Sequence, residues 1–240
     1  FIKALIDKFV SPIINQIYYN LPSVKRTSLN KPSVKQILFS MAKEDSAIFV
    51  QSFIKNVMIF DSKEEIWDYS INEIKKKKSG YCLEFGVYKG TSINYFSQSL
   101  KDFNFIGFDS FEGLAEEWKG SYQQAGHFSL GGKIPRVNHN CELIKGFFDQ
   151  KISQKVETLN QVEFVHIDCD TYPSTKIVLR EIEAVLKPGL LILFDDYIGY
   201  PGWRFGEHLA FKEFAEEKNI SFEYRAFSVA QALIEIQKID

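Results

Sequence analysis

Short apolar runs alternate with amphipathic stretches over the second two-thirds of the chain. These runs are apolar on both faces, as expected of parallel strands that helices cover on each side. We predict strands at residues 81–85, 103–108, 142–145, 163–167 and 190–194. We predict helices near residues 90–100, 149–158, 173–186 and 206–218. This alternation is typical of an α/β protein with an open, doubly wound, mostly parallel sheet and right-handed crossovers.

Both ends of the chain depart from this alternation. Two further strands, at residues 221–227 and 229–237, are joined by a very short link, which predicts an antiparallel hairpin at one edge of the sheet. Residues 1–79 instead have helical spacing, and Ser62 begins a capping box with Glu65. We therefore divide the chain into an N-terminal helical extension, residues 1–79, and an α/β domain, residues 80–240.

The role of the extension stays open at this stage. It can cover the active site, form a homodimer contact or lie on a membrane surface. Residues 1–19 are amphipathic, and we favour an ordinary packed helix for them over a membrane-surface helix. The chain starts at Phe1 rather than Met, so we expect that residues preceding it have been lost.

Composition narrows the class of protein. Hydrophobic residues make up 45% of the 240 residues and charged residues 25%, the values of a soluble globular protein. The formal charge of −2 gives no overall positive field for nucleic acid, and no apolar stretch approaches the ~20 residues of a membrane span. Three cysteines are no disulfide framework, so we expect reduced thiols and a cytoplasmic protein.

Glycines and acids follow the first two predicted strands. Gly86 and Gly90 allow a tight turn close to a ligand at the start of the next helix. Glu84 favours a cationic ligand group over a phosphate, and Asp109 is placed to accept hydrogen bonds from ribose hydroxyls. Together they predict a positively charged nucleoside, S-adenosylmethionine. A dinucleotide oxidoreductase is an alternative on the same sheet, but the third glycine of its fingerprint is missing.

Pairs of aspartates end two later strands. Asp168 and Asp170 follow the fourth strand, and Asp195 and Asp196 follow the fifth. Neighbouring parallel strands would bring these carboxylates together, where they repel one another unless a cation lies among them. Mg²⁺ is the natural candidate, and it would orient a substrate hydroxyl and lower its pKa. The alternative is a set of turn aspartates, or a cation that serves structure only in a non-catalytic nucleoside-binding module.

Two residues are candidates for the general base. Asp170 lies two residues beyond Asp168 and can stay outside the metal shell to accept the substrate proton. His127 lies in a glycine-bearing segment, residues 126–132, that can form a lid, although an exposed loop histidine fits the sequence equally well. His166 is interpreted as a core residue with its hydrogen bonds satisfied.

Five motifs carry a resemblance to a known family. They are LEFGVYKG at 83–90, GFDSFEGL at 107–114, GFF at 146–148, HIDCD at 166–170 and FDDY at 194–197. In this order they resemble the macrocin-type (TylF/MycF/NovP-like) sugar O-methyltransferases, a branch of the class I S-adenosylmethionine-dependent methyltransferases. The resemblance covers roughly residues 80–218. It implies a Rossmann-like sheet of seven strands with the last strand antiparallel.

The resemblance also implies roles for individual residues. The expected S-adenosylmethionine-binding set is Glu84, Gly86, Gly90, Ser92, Asp109, Ser110, Gly146, Phe147, Phe148 and Asp168. The expected magnesium ligands are Asp168, Asp195 and Asp196, and the expected catalytic residues are Asp170 and His127. We therefore expect a Mg²⁺-dependent O-methyltransferase that acts on a hydroxyl of a sugar or glycosylated small molecule. A catechol-like phenol is the alternative acceptor.

Overall fold

The structure is a computed structural model that describes residues 32–239. The amphipathic helix predicted for residues 1–19 lies outside the described residues. Residues 38–239 belong to one compact unit. Among the described residues, no helix combines the length and the apolar character that crossing a bilayer requires.

An eight-stranded sheet forms the centre of this unit. Its strands are β1 (Met58–Ile59), β2 (Gly80–Phe85), β3 (Phe103–Asp109), β4 (Cys141–Lys145), β5 (Val162–Ile167), β6 (Leu191–Phe194), β7 (Ile220–Phe227) and β8 (Ala232–Ile239). Their order across the sheet is β1-β7-β8-β6-β5-β2-β3-β4. Strands β4, β3, β2, β5 and β6 are mutually parallel, whereas β8 is antiparallel to both β6 and β7. The predicted doubly wound sheet and C-terminal hairpin are confirmed.

Helices join and cover these strands. They are α1 (Val34–Gln51), α2 (Lys63–Ile74), α3 (Thr91–Ser99), α4 (Phe148–Val156), α5 (Tyr172–Glu181) and α6 (Glu207–Glu217). The capping box predicted at Ser62 is confirmed: the Ser62 hydroxyl accepts the Glu65 N–H, and the Glu65 carboxylate accepts the Ser62 N–H. Helix α5 begins after Thr171, whose hydroxyl accepts the Ser174 N–H.

The described sheet has one strand more than the expected seven. Strand β1 has only two residues, too few for a period-2 pattern, and it pairs in parallel with the outer edge of β7. The predicted helix at 173–186 divides into α5 and a short 3₁₀ turn, Glu183–Val185. The last strand starts at Ala232 because the Ser228 N–H closes a turn onto the Gln231 carbonyl.

Apolar side chains pack on both faces of the sheet. On one face, the rings of Phe85 and Phe108 stack with their centroids 5.0 Å apart. On the other face, Phe96 of α3 packs against Phe164 of β5. Each phenylalanine is at most 1% exposed, so this burial contributes about 2–3 kcal/mol per ring relative to exposure. The two packed faces leave the carboxyl ends of the strands as the open edge of the sheet.

Helix α1 is attached to the segment that follows β6. The Asp45 carboxylate accepts hydrogen bonds from the Trp203 indole (3.0 Å) and from the Arg204 guanidinium (2.8 Å to each of two nitrogens). The Ser46 hydroxyl accepts the Gly199 N–H at 2.9 Å. Part of the N-terminal region therefore fixes the chain immediately after the acids at the end of β6.

Candidate active site

A cleft lies at the carboxyl ends of β2, β3, β4 and β5. It holds about 740 Å³ of space, including the part open to solvent, which is within the range of small-molecule sites. Eight of the predicted site residues line it: Gly86, Asp109, Ser110, Gly146, Phe147, Phe148, Asp168 and Asp170. The ends of neighbouring parallel strands have therefore brought together residues that lie far apart in the sequence.

Gly86 is where two of these strand ends come closest. Its φ is +93°, and a Cβ added there would lie 1.8 Å from the carbonyl oxygen of Asp168. The Asp168 N–H in turn donates to the Phe85 carbonyl at 2.8 Å. Only glycine allows this backbone approach, because any side chain would overlap the β5 loop. The glycine brings Asp168 beside the turn that follows β2.

Asp109 organises the turn after β2 from the end of β3. One carboxylate oxygen accepts the N–H groups of Val87 (2.9 Å) and Tyr88 (2.7 Å), and the other accepts the N–H of Phe111 (2.6 Å). A carboxylate has about four acceptor positions, so Asp109 can still accept a hydrogen bond from a ligand hydroxyl. Its position in the cleft fits the ribose-binding role expected of it.

Glu84 lies beneath the cleft instead of lining it. Its side chain is 2% exposed and accepts a hydrogen bond from the Ser92 hydroxyl at 2.9 Å. Its other oxygen is 3.1 Å from Nδ1 of His166, the residue paired with it in register on β5. Ser92 and Gly90 also lie outside the cleft lining. Glu84 therefore holds the first turn of α3 and the neighbouring strand β5, and direct contact with a cofactor stays a prediction.

The four predicted aspartates lie in two adjoining groups. Oxygens of Asp168, Asp170 and Asp196 lie within 4.8 Å of one another, and a second group of the same size joins Asp168 and Asp195 with His166. Asp168 therefore belongs to both groups, whereas the two aspartates after β6 face different neighbours. The expected ligand set of Asp168, Asp195 and Asp196 stays a prediction.

Burial and mutual repulsion dominate the electrostatics of the first group. Burial raises the pKa of Asp168, Asp170 and Asp196 well above the ordinary value, and neighbouring carboxylates raise it further. Groups that are difficult to ionise together bind a cation readily, because a positive charge removes the repulsion. The donor set consists of carboxylate oxygens, which Mg²⁺ and Ca²⁺ prefer.

His166 sets the charge of the second group. It is fully buried, with Nε2 3.6 Å from an oxygen of Asp195. Burial opposes its charged form, but Asp195 and Glu84 outweigh that cost and raise the pKa of His166 well above its ordinary value. The net effect on Asp195 is a pKa below the ordinary value. Burial acts to raise this pKa, but the larger combined effect comes from His166 and from Gln231, which donates a hydrogen bond to Asp195.

Glu207 joins the site although its sequence context did not predict it. This residue is fully buried at the start of α6, and its two carboxylate oxygens accept the N–H groups of Cys169 and Asp196, each at 3.1 Å. Burial raises its pKa to about 8, although both N–H groups oppose the shift. The sequence signal that could have indicated its burial is its spacing, because Glu207 lies on the same helical face as the buried Phe211 and Phe214.

His127, the other predicted catalytic residue, is exposed and lies outside the cleft lining. Its ring contacts Phe128 edge-on at 4.4 Å, and Phe128 does line the cleft. Its carbonyl accepts the Leu114 N–H, so it belongs to the loop that covers one side of the cleft. Seven lining residues are not in the site set expected from the sequence: Tyr88, Gly113, Leu114, Ala115, Phe128, Cys169 and Ser174.

The parallel sheet with its antiparallel last strand, and the cleft beside Asp109, define the class I S-adenosylmethionine-dependent methyltransferase fold. A family model described as a methyltransferase domain matches residues 83–197, from β2 to the segment after β6. Residues 83–197 are therefore similar to a methyltransferase domain, and the chain is an enzyme of the transferase class. The match includes Asp109 and all four clustered aspartates.

Solved structures support the same fold at low sequence identity. The O-methyltransferase NovP is 15% identical, with 72% of this chain and 79% of that chain covered and a TM-score of 0.58. The calicheamicin methyltransferase CalS11 is 16% identical, with 93% of this chain and 90% of that chain covered and a TM-score of 0.56. An apo structure of CalS11, described as a TDP-rhamnose 3'-O-methyltransferase, is 17% identical over 93% and 92% of the two chains, with a TM-score of 0.50.

A comparison with curated proteins by sequence finds none that matches.

Proposed function

We propose that this protein transfers a methyl group from S-adenosylmethionine to a hydroxyl of a sugar or glycosylated small molecule, with a divalent cation, Mg²⁺, at the acidic cluster. One observation carries the proposal. Asp168 and Asp170 line the same cleft as Asp109, and they also form the acidic group with Asp196. A nucleoside site and a site suited to a cation that orients oxygen ligands thus share one wall.

The sugar acceptor is supported by the structural neighbours. NovP is described as an O-methyltransferase and CalS11 as a TDP-rhamnose 3'-O-methyltransferase. Sugar hydroxyls have high pKa values, so their methylation benefits from a metal and a base that help to remove the proton. A phenol such as a catechol needs the same arrangement, and the acceptor assay below distinguishes the two classes.

S-adenosylmethionine fits the cleft by the chemistry of its lining. Asp109 offers an acceptor for ribose hydroxyls, and the lining joins an apolar segment, Phe147 and Phe148, to polar groups of the strand ends. When bound, it supplies a methyl group on a positively charged sulfur, and the protein contributes alignment of the acceptor with that methyl group. The Gly86 turn fixes the floor of this part of the cleft.

The acidic cluster fits a divalent cation by its donor set and by its repulsion. Asp168 and Asp196 reach a common point with Asp170, whereas Asp195 lies with Asp168 in the second group. We propose that either Asp170 or Asp195 completes the set of cation ligands. A bound cation would lower the pKa of the acceptor hydroxyl. If Asp195 completes the set, Asp170, which is 8% exposed and lines the cleft, is free to take the acceptor proton.

The test is Asp196→Ala, with Asp102→Ala as an exposed control that removes the same charge. Methyl transfer to a panel of sugar nucleotides and catechols is measured with and without Mg²⁺, and S-adenosylhomocysteine binding is measured by calorimetry. We expect wild type to methylate a sugar only with the cation, and Asp196→Ala to lose that activity while cofactor binding is retained. If Asp196→Ala still turns over without metal, the cation has no part in the reaction. If only catechols are methylated, the acceptor is a phenol and not a sugar.

A further inference from the structure

We infer that Glu207 is a positioning residue whose carboxylate holds the two acidic loops at the separation that a shared cation requires. The inference rests on the proposed function for the existence of that cation. It adds a residue from α6, outside the region matched by the methyltransferase family model, to the set on which the site depends.

The geometry is a bridge between two backbones. One oxygen of Glu207 accepts the N–H of Cys169, which lies between Asp168 and Asp170 in the sequence. The other oxygen accepts the N–H of Asp196, at 3.1 Å in both cases. One side chain therefore connects the loop after β5 to the loop after β6, directly behind the carboxylates that face each other.

A carboxylate suits this bridge because the two N–H donors reach different oxygens of Glu207. A glutamine in the same position offers one acceptor and one donor, so it would point an N–H₂ at one of the two backbone N–H groups. Water cannot substitute, because Glu207 has no exposed surface. Its place as the first residue of α6 also stabilises a negative charge there, through the free N–H groups of the helix end.

The bridge matters for a cation more than for the cofactor. The oxygens of Asp168, Asp170 and Asp196 lie within 4.8 Å of one another only while the two loops keep their separation. The nucleoside part of the cleft depends instead on Asp109 and the turn after β2, which Glu207 does not contact. Loss of the bridge should therefore weaken binding of the cation and leave nucleoside binding unchanged.

The experiment measures Mn²⁺ binding by electron paramagnetic resonance in the full chain. Glu207→Gln is compared with wild type and with Glu216→Gln, the same substitution at an exposed residue of the same helix. We expect Glu207→Gln to bind Mn²⁺ about 10–100-fold more weakly, as other changes behind metal ligands do. We expect Glu216→Gln to match wild type. Calorimetry with S-adenosylhomocysteine should show equal affinity in all three proteins.

Hydrogen exchange distinguishes a local loss of the bridge from a loss of stability of the whole fold. In Glu207→Gln, amide exchange should accelerate at Cys169 and Asp196, and the core strands should keep their protection. If Glu207→Gln does not fold, Glu207→Asp replaces it. That variant keeps two oxygens but is one methylene shorter, and the same loss of Mn²⁺ affinity is expected.

Three results would overturn the inference. If wild type binds Mn²⁺ and the Glu207 variant binds it equally well, the bridge is not needed and the proposed cation still stands. If wild type binds no Mn²⁺, the cation and the bridge fail together. If Mn²⁺ and S-adenosylhomocysteine affinities fall in parallel with the folded fraction, Glu207 stabilises the fold and has no particular role in the site.

Discussion

The close approach at Gly86 allows a quantitative prediction for Gly86→Ala. The φ of +93° disfavours alanine, at a cost of about 1–2 kcal/mol for left-handed backbone. The added Cβ would also lie 1.8 Å from the Asp168 carbonyl oxygen, which is backbone and cannot rotate away. The overlap adds about 1–3 kcal/mol, as other overpacked sites do. The total of roughly 2–5 kcal/mol should lower Tm by roughly 10 °C in a chain of this size.

Gly126→Ala is the matched control. Gly126 also has a positive φ, +79°, but a Cβ there would meet no atom within 4 Å. Urea unfolding of both variants therefore separates the backbone cost from the overlap. Because Gly86 belongs to the turn after β2 that lines the nucleoside part of the cleft, S-adenosylhomocysteine affinity should also fall in Gly86→Ala and not in Gly126→Ala. If the two variants lose equal stability, the close approach at Gly86 does not exist and our account of the cleft floor is wrong.

Three other predictions concern single polar groups. Asp109→Asn turns one acceptor into a donor that faces backbone N–H groups, so calorimetry should show S-adenosylhomocysteine affinity lower by at least about tenfold; unchanged affinity would contradict the role of this carboxylate. Burial and the positive charges of Lys212 and Arg204, partly offset by Asp45, lower the pKa of His208 to about 4. Because unfolding restores its ordinary pKa, the neutral histidine's stabilisation is lost as pH falls from about 6.5 to 4. Urea unfolding should therefore show wild type losing about 2 kcal/mol relative to His208→Gln between pH 7.5 and 5. Asp45→Ala removes acceptors from the half-exposed Arg204 and from the buried Trp203 indole, so it should cost about 1–2 kcal/mol in urea unfolding. A loss near zero would show that the contact with α1 is not needed.

Most of the fold follows from local pattern. The parallel strands are apolar on both faces and the helices between them are amphipathic, so both signals are strong within a few residues. Strand β1 gave no such signal, because Met58 and Ile59 form a pair too short for periodicity, and their strand exists only because β7 offers an unpaired edge. Pairing across the sheet is a tertiary property that single-segment reasoning cannot supply.

The site was predictable for residues that directly follow a strand. It was less predictable for residues whose neighbours depend on how the strands pair in register. Asp109 and Asp168 were located because they follow apolar runs. Glu84 was expected to bind the cofactor, and this stays a prediction; what the sequence did not predict is the register that pairs Glu84 with His166. Glu207 lies on a helix and resembles an ordinary surface charge until its neighbours are known. Residues whose function comes from contact with another element's backbone leave little trace in sequence.

The attachment of α1 to the segment after β6 has a consequence for protein engineering. A minimal catalytic fragment cut just before β2 would keep every acid of the cleft but leave the Trp203 indole and the Gly199 N–H without their acceptors. It would also uncover the edge of β7, whose Phe227 carbonyl accepts the Phe60 N–H in the intact chain. Open strand edges invite association between chains. A chimera designed to exchange acceptor specificity should therefore transplant residues 38–79 together with the sheet.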